Sequence, residues 1–255
     1  MLYDDETIIV IPTYKEKLTK YEEYALRQAL NVFKKYRIFF VMPQKLNSDV
    51  YCFHNDKRIY IEKFDDYFFT NISGYNRLML SYDFYLRFKM YKYMLIYQLD
   101  GFVFSDRLEE FTKLGYDYIG APWIKGQPIY KYNFRGCDIL YKHFPWLNKK
   151  YTVYVGNGGV SLRNIPSTLR LLKLFTNDIL NWEYNEDLFF GKMGLFCPEI
   201  FNVAPVRVAA KFSFETDLKE CLEITNGKLP FAVHAWAKYD VDIMKKLFFL
   251  AGVNI

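Results

Sequence analysis

Apolar and polar positions along this chain alternate between two rhythms. Thr7-Ile8-Ile9-Val10-Ile11-Pro12 is a continuous β-branched run closed by proline, the pattern of a strand buried on both faces. Arg37-Ile38-Phe39-Phe40-Val41-Met42-Pro43 repeats it. Between them Tyr21, Tyr24, Ala25, Gln28, Ala29 and Val32 recur at helical spacing. A strand, a helix and a strand joined by a crossover open a parallel α/β sheet. Helical spacing returns over residues 76–91, and Tyr93 to Leu99 reads as a third buried strand that ends at Asp100-Gly101. Residues 106–114 predict a short helix capped by Ser105 or Asp106, and residues 117–120 a short strand. Residues 124–150, with Gly126, Pro128, Gly136 and Pro145, show no clean period and are expected to form a long loop. Tyr151 to Val155 and Val160 to Arg163 read as strands on either side of Gly156-Asn157-Gly158-Gly159. Helices are expected over residues 167–180, from Glu186 to Met193 and from Val241 to Leu250. With no internal repeat and no linker, the pattern predicts one α/β domain over residues 1–255, a mixed and mostly parallel central sheet flanked by helices.

Composition narrows the function classes. The 255 residues are 51% hydrophobic and 20% aromatic, which excludes a disordered chain. The 23 Tyr and 24 Phe fit a biased composition, and they also fit aromatic platforms in a sugar cleft. The net charge of +5 suits an anionic small molecule or an anionic membrane surface. Lys and Arg are interleaved with Asp and Glu, so the concentrated basic stripe of a nucleic-acid binder is missing. Cys52, Cys137, Cys197 and Cys221 form no CxxC pair and match no zinc spacing, which predicts reduced thiols and a cytoplasmic protein. Asp4, Asp5 and Glu6 stand where a signal peptide carries basic residues. No apolar run approaches the roughly 20 residues that span a bilayer. The last helix brings Lys238, Lys245 and Lys246 near Phe248 and Phe249. It suits peripheral contact with the inner face of a membrane, or packing on the core.

Four groups of residues fall at the ends of elements, where α/β sheets place their ligands. In Gln98-Leu99-Asp100-Gly101 a carboxylate directly follows a buried strand, well placed for a divalent cation that neutralises a diphosphate leaving group; Asp-Gly is also a common turn. Gly156-Asn157-Gly158-Gly159 interrupts strand structure at a cost. It provides either a close backbone approach to a sugar or phosphate, with Asn157 bonding hydroxyls, or a hairpin turn. Asn185-Glu186-Asp187 opens a helix. Its acids either complement the helix dipole behind an Asn185 cap, or one of them is a general base. The chain has three histidines, His54, His143 and His234. His234 near Asp100 would complete a mixed oxygen and nitrogen metal site, and Trp236 would stack on a sugar or fill the core.

Taken in order, these pieces resemble a glycosyltransferase of the A-type fold. The run from Tyr75 to Ser81, QLDGFVF at Gln98 to Phe104, YIGAPW at Tyr118 to Trp123, VGNGGVSLR at Val155 to Arg163, NEDLFF at Asn185 to Phe190 and HAW at His234 to Trp236 are together similar to a bacterial glycosyltransferase-like family of unassigned function. The resemblance extends from about Ile8 to Trp236. It implies that Asp100 is the last acid of an Asp-x-Asp motif and binds Mn2+ or Mg2+ with His234, while Gln98 replaces the first acid. It implies that Pro12, Thr13 and Tyr14 border the nucleotide, and that Asn157, Gly158 and Gly159 border the donor sugar. Asp187, ahead of Glu186, would be the base of an inverting displacement, and Trp123 and Trp236 would border the acceptor. The implied reaction moves a hexosyl group from a nucleotide sugar, with UDP-sugars favoured, to a glycan or lipid-linked acceptor in surface polysaccharide or lipopolysaccharide assembly. A retaining route stays open.

Two rival readings follow from the same residues. A haloacid-dehalogenase-like phosphatase needs an acid two residues before Asp100, and Gln98 stands there. A non-catalytic nucleotide- or glycan-binding module on the same fold fits Gln98 as well as the enzyme does.

Overall fold

The buried apolar runs become neighbouring strands: β1 (Thr7–Pro12), β2 (Arg37–Pro43), β3 (Ile59–Phe64) and β4 (Tyr93–Tyr97) lie parallel. They are followed by β5 (Phe102–Val103), β6 (Tyr118–Ile119), β7 (Pro122–Tyr130), β8 (Lys150–Val155), β9 (Val160–Asn164), β10 (Ser213–Phe214) and β11 (Ala232–Val233). This computed structural model describes residues 4–51, 56–131, 139, 142–147 and 149–253. Cys52, His54, Gly136 and Cys137 lie outside the described residues; Cys197 and Cys221 carry free thiols.

The main sheet has the order β3-β2-β1-β4-β9-β6, and β9 runs antiparallel to both of its neighbours. It is therefore mixed and mostly parallel, with helices on both faces. Alternate residues of each strand feed two separate cores. Ile8, Val10, Phe39, Val41, Met94 and Ile96 face one, and Ile9, Ile11, Ile38, Phe40, Leu95 and Tyr97 face the other. This double burial is why the runs are continuous rather than alternating. Helix Lys20–Val32 covers the second face through Leu26 and Ala29. Helices Ile72–Met79, Ile165–Leu174 and Glu186–Phe196 cover the first.

Several expectations are corrected. The helical period over residues 76–91 belongs to two helices, Ile72–Met79 and Tyr82–Leu86, because the Ser81 hydroxyl caps the second one. Residues 167–180 also split, into Ile165–Leu174 and Thr176–Leu180, at Phe175. The helix expected at 106–114 is Leu108–Thr112, and no side chain caps it. Part of the expected 124–150 loop is strand: β7 pairs with β8 as a two-stranded antiparallel ribbon. A shift of register between Pro122 and Gln127, with Gly126 at positive φ inside it, erases the sequence period. The C-terminal helix Val241–Leu250 buries Ile243, Met244, Leu247 and Phe248 and leaves Phe249 exposed, so its apolar face is mostly spent on the core. Among the described residues no helix is long and apolar enough to cross a membrane.

Candidate active site

The C-terminal ends of β1 and β4 open into a cleft of about 420 Å³. Pro12, Thr13, Tyr14, Gln98 and Asp100 line it, as do Lys15, Glu22 and a wall contributed by residues 68–72 and Tyr75. Thr13 is held from below: its N–H donates to the Val41 carbonyl at 2.8 Å, and its hydroxyl donates to the Tyr51 hydroxyl. Lys15 brings positive charge into the cleft and is anchored on Glu22 at 2.6 Å. Glu22 is itself fixed by the Thr19 capping box.

The small sheet β10-β11-β5 assembles the second part of the site. β5 and β11 are antiparallel with Phe102 opposite Val233, which brings Asp100, just before β5, to His234, just after β11. His234 Nε2 lies 3.1 Å from Asp100 Oδ1 and 3.3 Å from Gln98 Oε1. β10 and β11 are parallel with Phe214 opposite Val233, so the next residues, Glu215 and His234, also meet. Glu215 Oε1 sits 2.9 Å from His234 Nδ1. Burial alone would lower the His234 pKa, but the hydrogen bonds and charges of Asp100 and Glu215 outweigh it and raise the pKa to about 10. The Asp100 side chain is largely exposed, and against the desolvation it does feel His234 holds that carboxyl below its ordinary value. Glu215 is a site residue that the motifs missed. Its only trace in the sequence is an acid directly after a short apolar strand.

The glycine-rich segment is not a hairpin, because β8 pairs with β7 while β9 pairs with β4 and β6. Its glycines instead make room for their neighbours. A Cβ on Gly156 would fall 1.8 Å from the Trp123 ring, one on Gly158 1.8 Å from Glu186 Oε1, and one on Gly159 2.0 Å from His234 Nε2. The Gln98 N–H donates to the Gly159 carbonyl at 2.8 Å and ties the two halves of the site together. Asn157 adopts the left-handed region at φ 60° and accepts from the Gly159 N–H, while its buried Nδ2 has no partner among the described residues.

The two acids have different surroundings. Glu186 is buried against Arg163, which is itself wholly buried and bonds Glu186 Oε1 at 3.1 Å, the Tyr85 hydroxyl at 2.7 Å and Ser161 Oγ at 3.0 Å. Asp187 is half-buried and accepts from the Leu188 N–H at 2.7 Å and the Gly158 N–H at 3.3 Å. Burial first, and the charge of Glu186 second, raise its pKa from an ordinary 3.8 to about 7. The Asn185 side chain does not cap this helix; the Asn76 side-chain oxygen accepts from the Glu186 N–H at 3.3 Å instead.

Trp123 and Trp236 stand apart from this picture. Trp123 is 9% exposed, with its ring against Gly156. Trp236 is 6% exposed, and its ring centre lies 5.1 Å from Tyr21 and 5.0 Å from Phe248. Both pack as core side chains and offer no open face to an acceptor.

Asp100, His234 and the Gln98 side-chain oxygen converge, with Glu215 behind the histidine as carboxylates stand behind metal-binding imidazoles, and a divalent cation held here would take the place of the His234 Nε2 proton. Among the described residues no group of three or more His, Cys, Asp or Glu converges for a metal. An ion held here would therefore complete its shell with substrate phosphate and water, as Mg2+ sites commonly do.

Solved structures share this architecture. The galactosyltransferase LgtC, in complex with donor and acceptor sugar analogues, superposes with a TM-score of 0.52 at 15% identity over 96% of this chain and 95% of its own. Mouse xyloside xylosyltransferase 1 gives 0.50 at 14% identity over 90% and 97%. The glycosyltransferase GlyE of Streptococcus pneumoniae TIGR4 gives 0.51 at 12% identity over 98% of this chain and 61% of its own. At such identities the likeness establishes the fold, the A-type glycosyltransferase fold. No curated protein matches the chain in sequence. The family described as "Protein of unknown function (DUF5672)" matches residues 58–234, a span that carries Tyr75, Asp100, the glycine-rich segment, both acids and His234, and the chain belongs to that family.

Proposed function

We propose that this protein transfers a sugar from a nucleotide-sugar donor to a hydroxyl of a glycan or lipid-linked acceptor. The observation that carries the reading is the joining of the β1/β4 cleft to the glycine-rich segment by the Gln98–Gly159 hydrogen bond, and of that segment to the Asp187 carboxylate by the Gly158 N–H. The nucleotide would lie against Pro12, Thr13 and Tyr14, and UDP is the favoured carrier. The donor sugar would lie toward Asn157, Gly158 and Gly159. Asp187 takes the proton from the acceptor hydroxyl as it attacks the anomeric carbon, with inversion. Glu186, locked on Arg163, holds the fold of the site and supplies negative charge to its neighbour. Asp100, His234 and Gln98 would hold Mn2+ or Mg2+, which when bound neutralises the charge that grows on the departing diphosphate. Surface polysaccharide or lipopolysaccharide assembly at the cytoplasmic side of a membrane is the setting this reading favours.

A thermal-melting panel of UDP-glucose, GDP-mannose, CMP-N-acetylneuraminic acid and dTDP-glucose, each with and without Mn2+, tests the donor and the ion. One donor is expected to raise the melting temperature, because it binds only the native state. Mn2+ is expected to enlarge the shift, and Asp100→Ala to remove that enlargement. A donor shift indifferent to Mn2+ would defeat the metal assignment and leave the donor site standing. Gln98 in place of an acid also favours a second reading, a binding module without turnover, which predicts the donor shift but no release of nucleotide.

A further inference from the structure

Two buried polar groups near the site have no partner among the described residues: the hydroxyl of Tyr75, which lines the cleft, and Nδ2 of Asn157 in the glycine-rich segment. We infer that the Tyr75 hydroxyl, together with the Asn157 amide, receives the hydroxyl groups of the donor's sugar ring, an assignment that rests on the transferase reading above. Tyr75 lines the cleft beside Gln98 and Asp100. It rides on helix Ile72–Met79, whose N-terminus is capped by Asn71. That helix is pressed so closely on the preceding turn that a Cβ on Gly74 would fall 2.5 Å from the Tyr67 carbonyl oxygen. The hydroxyl is therefore presented by a rigid wall. The next residue of the helix, Asn76, accepts from the Glu186 N–H at 3.3 Å, which sets this helix against the start of the helix that carries Glu186 and Asp187. The Gln98 side chain approaches it without closing a hydrogen bond of normal geometry.

Asn157 directly precedes Gly158, which packs on Glu186, and is only 2% exposed. Its side-chain oxygen is already taken by the Gly159 N–H, so Nδ2 remains to donate. A buried hydroxyl or amide without a partner carries a desolvation cost that a ligand can cancel. A phenol that donates and accepts, beside an amide that donates, matches the hydroxyls of a sugar.

Tyr75→Phe tests this, because it removes the hydroxyl and keeps the ring. Without ligand the variant is expected to melt at or above the wild-type temperature, since no internal bond is lost. A fall of about 2–4 °C, the size of one lost hydrogen bond in a chain of this length, would show that the hydroxyl serves the fold and would overturn the inference. Each nucleotide sugar of the panel is then compared with UDP, GDP, CMP or dTDP alone. Tyr75→Phe is expected to weaken the stabilising nucleotide sugar by about tenfold and to leave the matching free nucleotide unchanged. Equal weakening of both would move Tyr75 to the nucleotide, and no weakening of either would remove it from the site; each result overturns the sugar assignment alone. A wild type that no nucleotide or nucleotide sugar stabilises would defeat the transferase reading and this inference with it. That failure is recognisable because it appears before any substitution is made.

Discussion

Asp187→Asn is expected to lower sugar transfer by about 10²–10⁴-fold, the usual contribution of a positioned general base, while the protein stays folded. Leu188 N–H bonds one carboxylate oxygen at 2.7 Å and Gly158 N–H the other at 3.3 Å, so the single amide oxygen keeps the shorter bond at the helix start and gives up the longer one. The pH dependence gives a second readout. A base with a pKa near 7 is protonated and idle at pH 5, so transfer should rise with pH through about 7. In Asp187→Asn that limb should vanish. Burial is the larger cause of the raised pKa and Glu186 the next, so Glu186→Gln should move the midpoint down without restoring it to 3.8. The effect on stability has the opposite sign from activity. A carboxyl whose folded pKa lies above its unfolded one favours folding most when protonated, and that contribution is lost as pH rises from about 3.8 through 7. A variant Asp187→Asn with full activity and an unchanged pH profile would remove the residue from the chemistry.

Arg163→Met should produce the largest loss of stability. It leaves the Glu186 carboxylate buried without its cation and strips partners from the Tyr85 hydroxyl and Ser161. Removing one member of a buried ion pair costs about 3–5 kcal/mol. At roughly 2–4 °C per kcal/mol for a chain of this size, the melting temperature should fall by about 6–20 °C. The double variant Arg163→Met with Glu186→Leu should recover much of the loss, because it leaves no unpaired charge in the core. A single variant that melts within a degree of wild type would mean that the pair does not brace the site.

The fold was legible where burial is two-sided. Ile8 to Ile11 and Ile38 to Met42 are apolar at every position because both faces of β1 and β2 are covered, and a short β-branched and aromatic run of that kind, stopped by proline, marks a buried strand. β3 escaped notice because Ile59–Phe64 is an edge strand of mostly intermediate burial that carries Glu62 and Lys63. β7 escaped because its bulge and prolines hide any period. The site was legible as motifs and not as contacts. Gln98, Asp100, the glycines, Asp187 and His234 stand out by type and position. What each glycine accommodates depends on Trp123, Glu186 and His234, which only the fold brings near. Arg163 meets Tyr85 across 78 positions of sequence, and Glu215 meets His234 through the β10–β11 register. No local pattern encodes either pairing. For Trp236 the sequence left a sugar platform and a core side chain both open, and its ring is enclosed by Tyr21, Phe102 and Phe248.

The most direct test of sugar transfer is release of nucleotide from the same four nucleotide sugars, measured with wild type and with Asp187→Asn. Slow release from one donor, quickened by a suitable acceptor and lost in Asp187→Asn, is the expected result. Binding of a donor with no release under any condition, by a protein that melts cooperatively, would contradict transfer and leave a module that holds its ligand without reacting it.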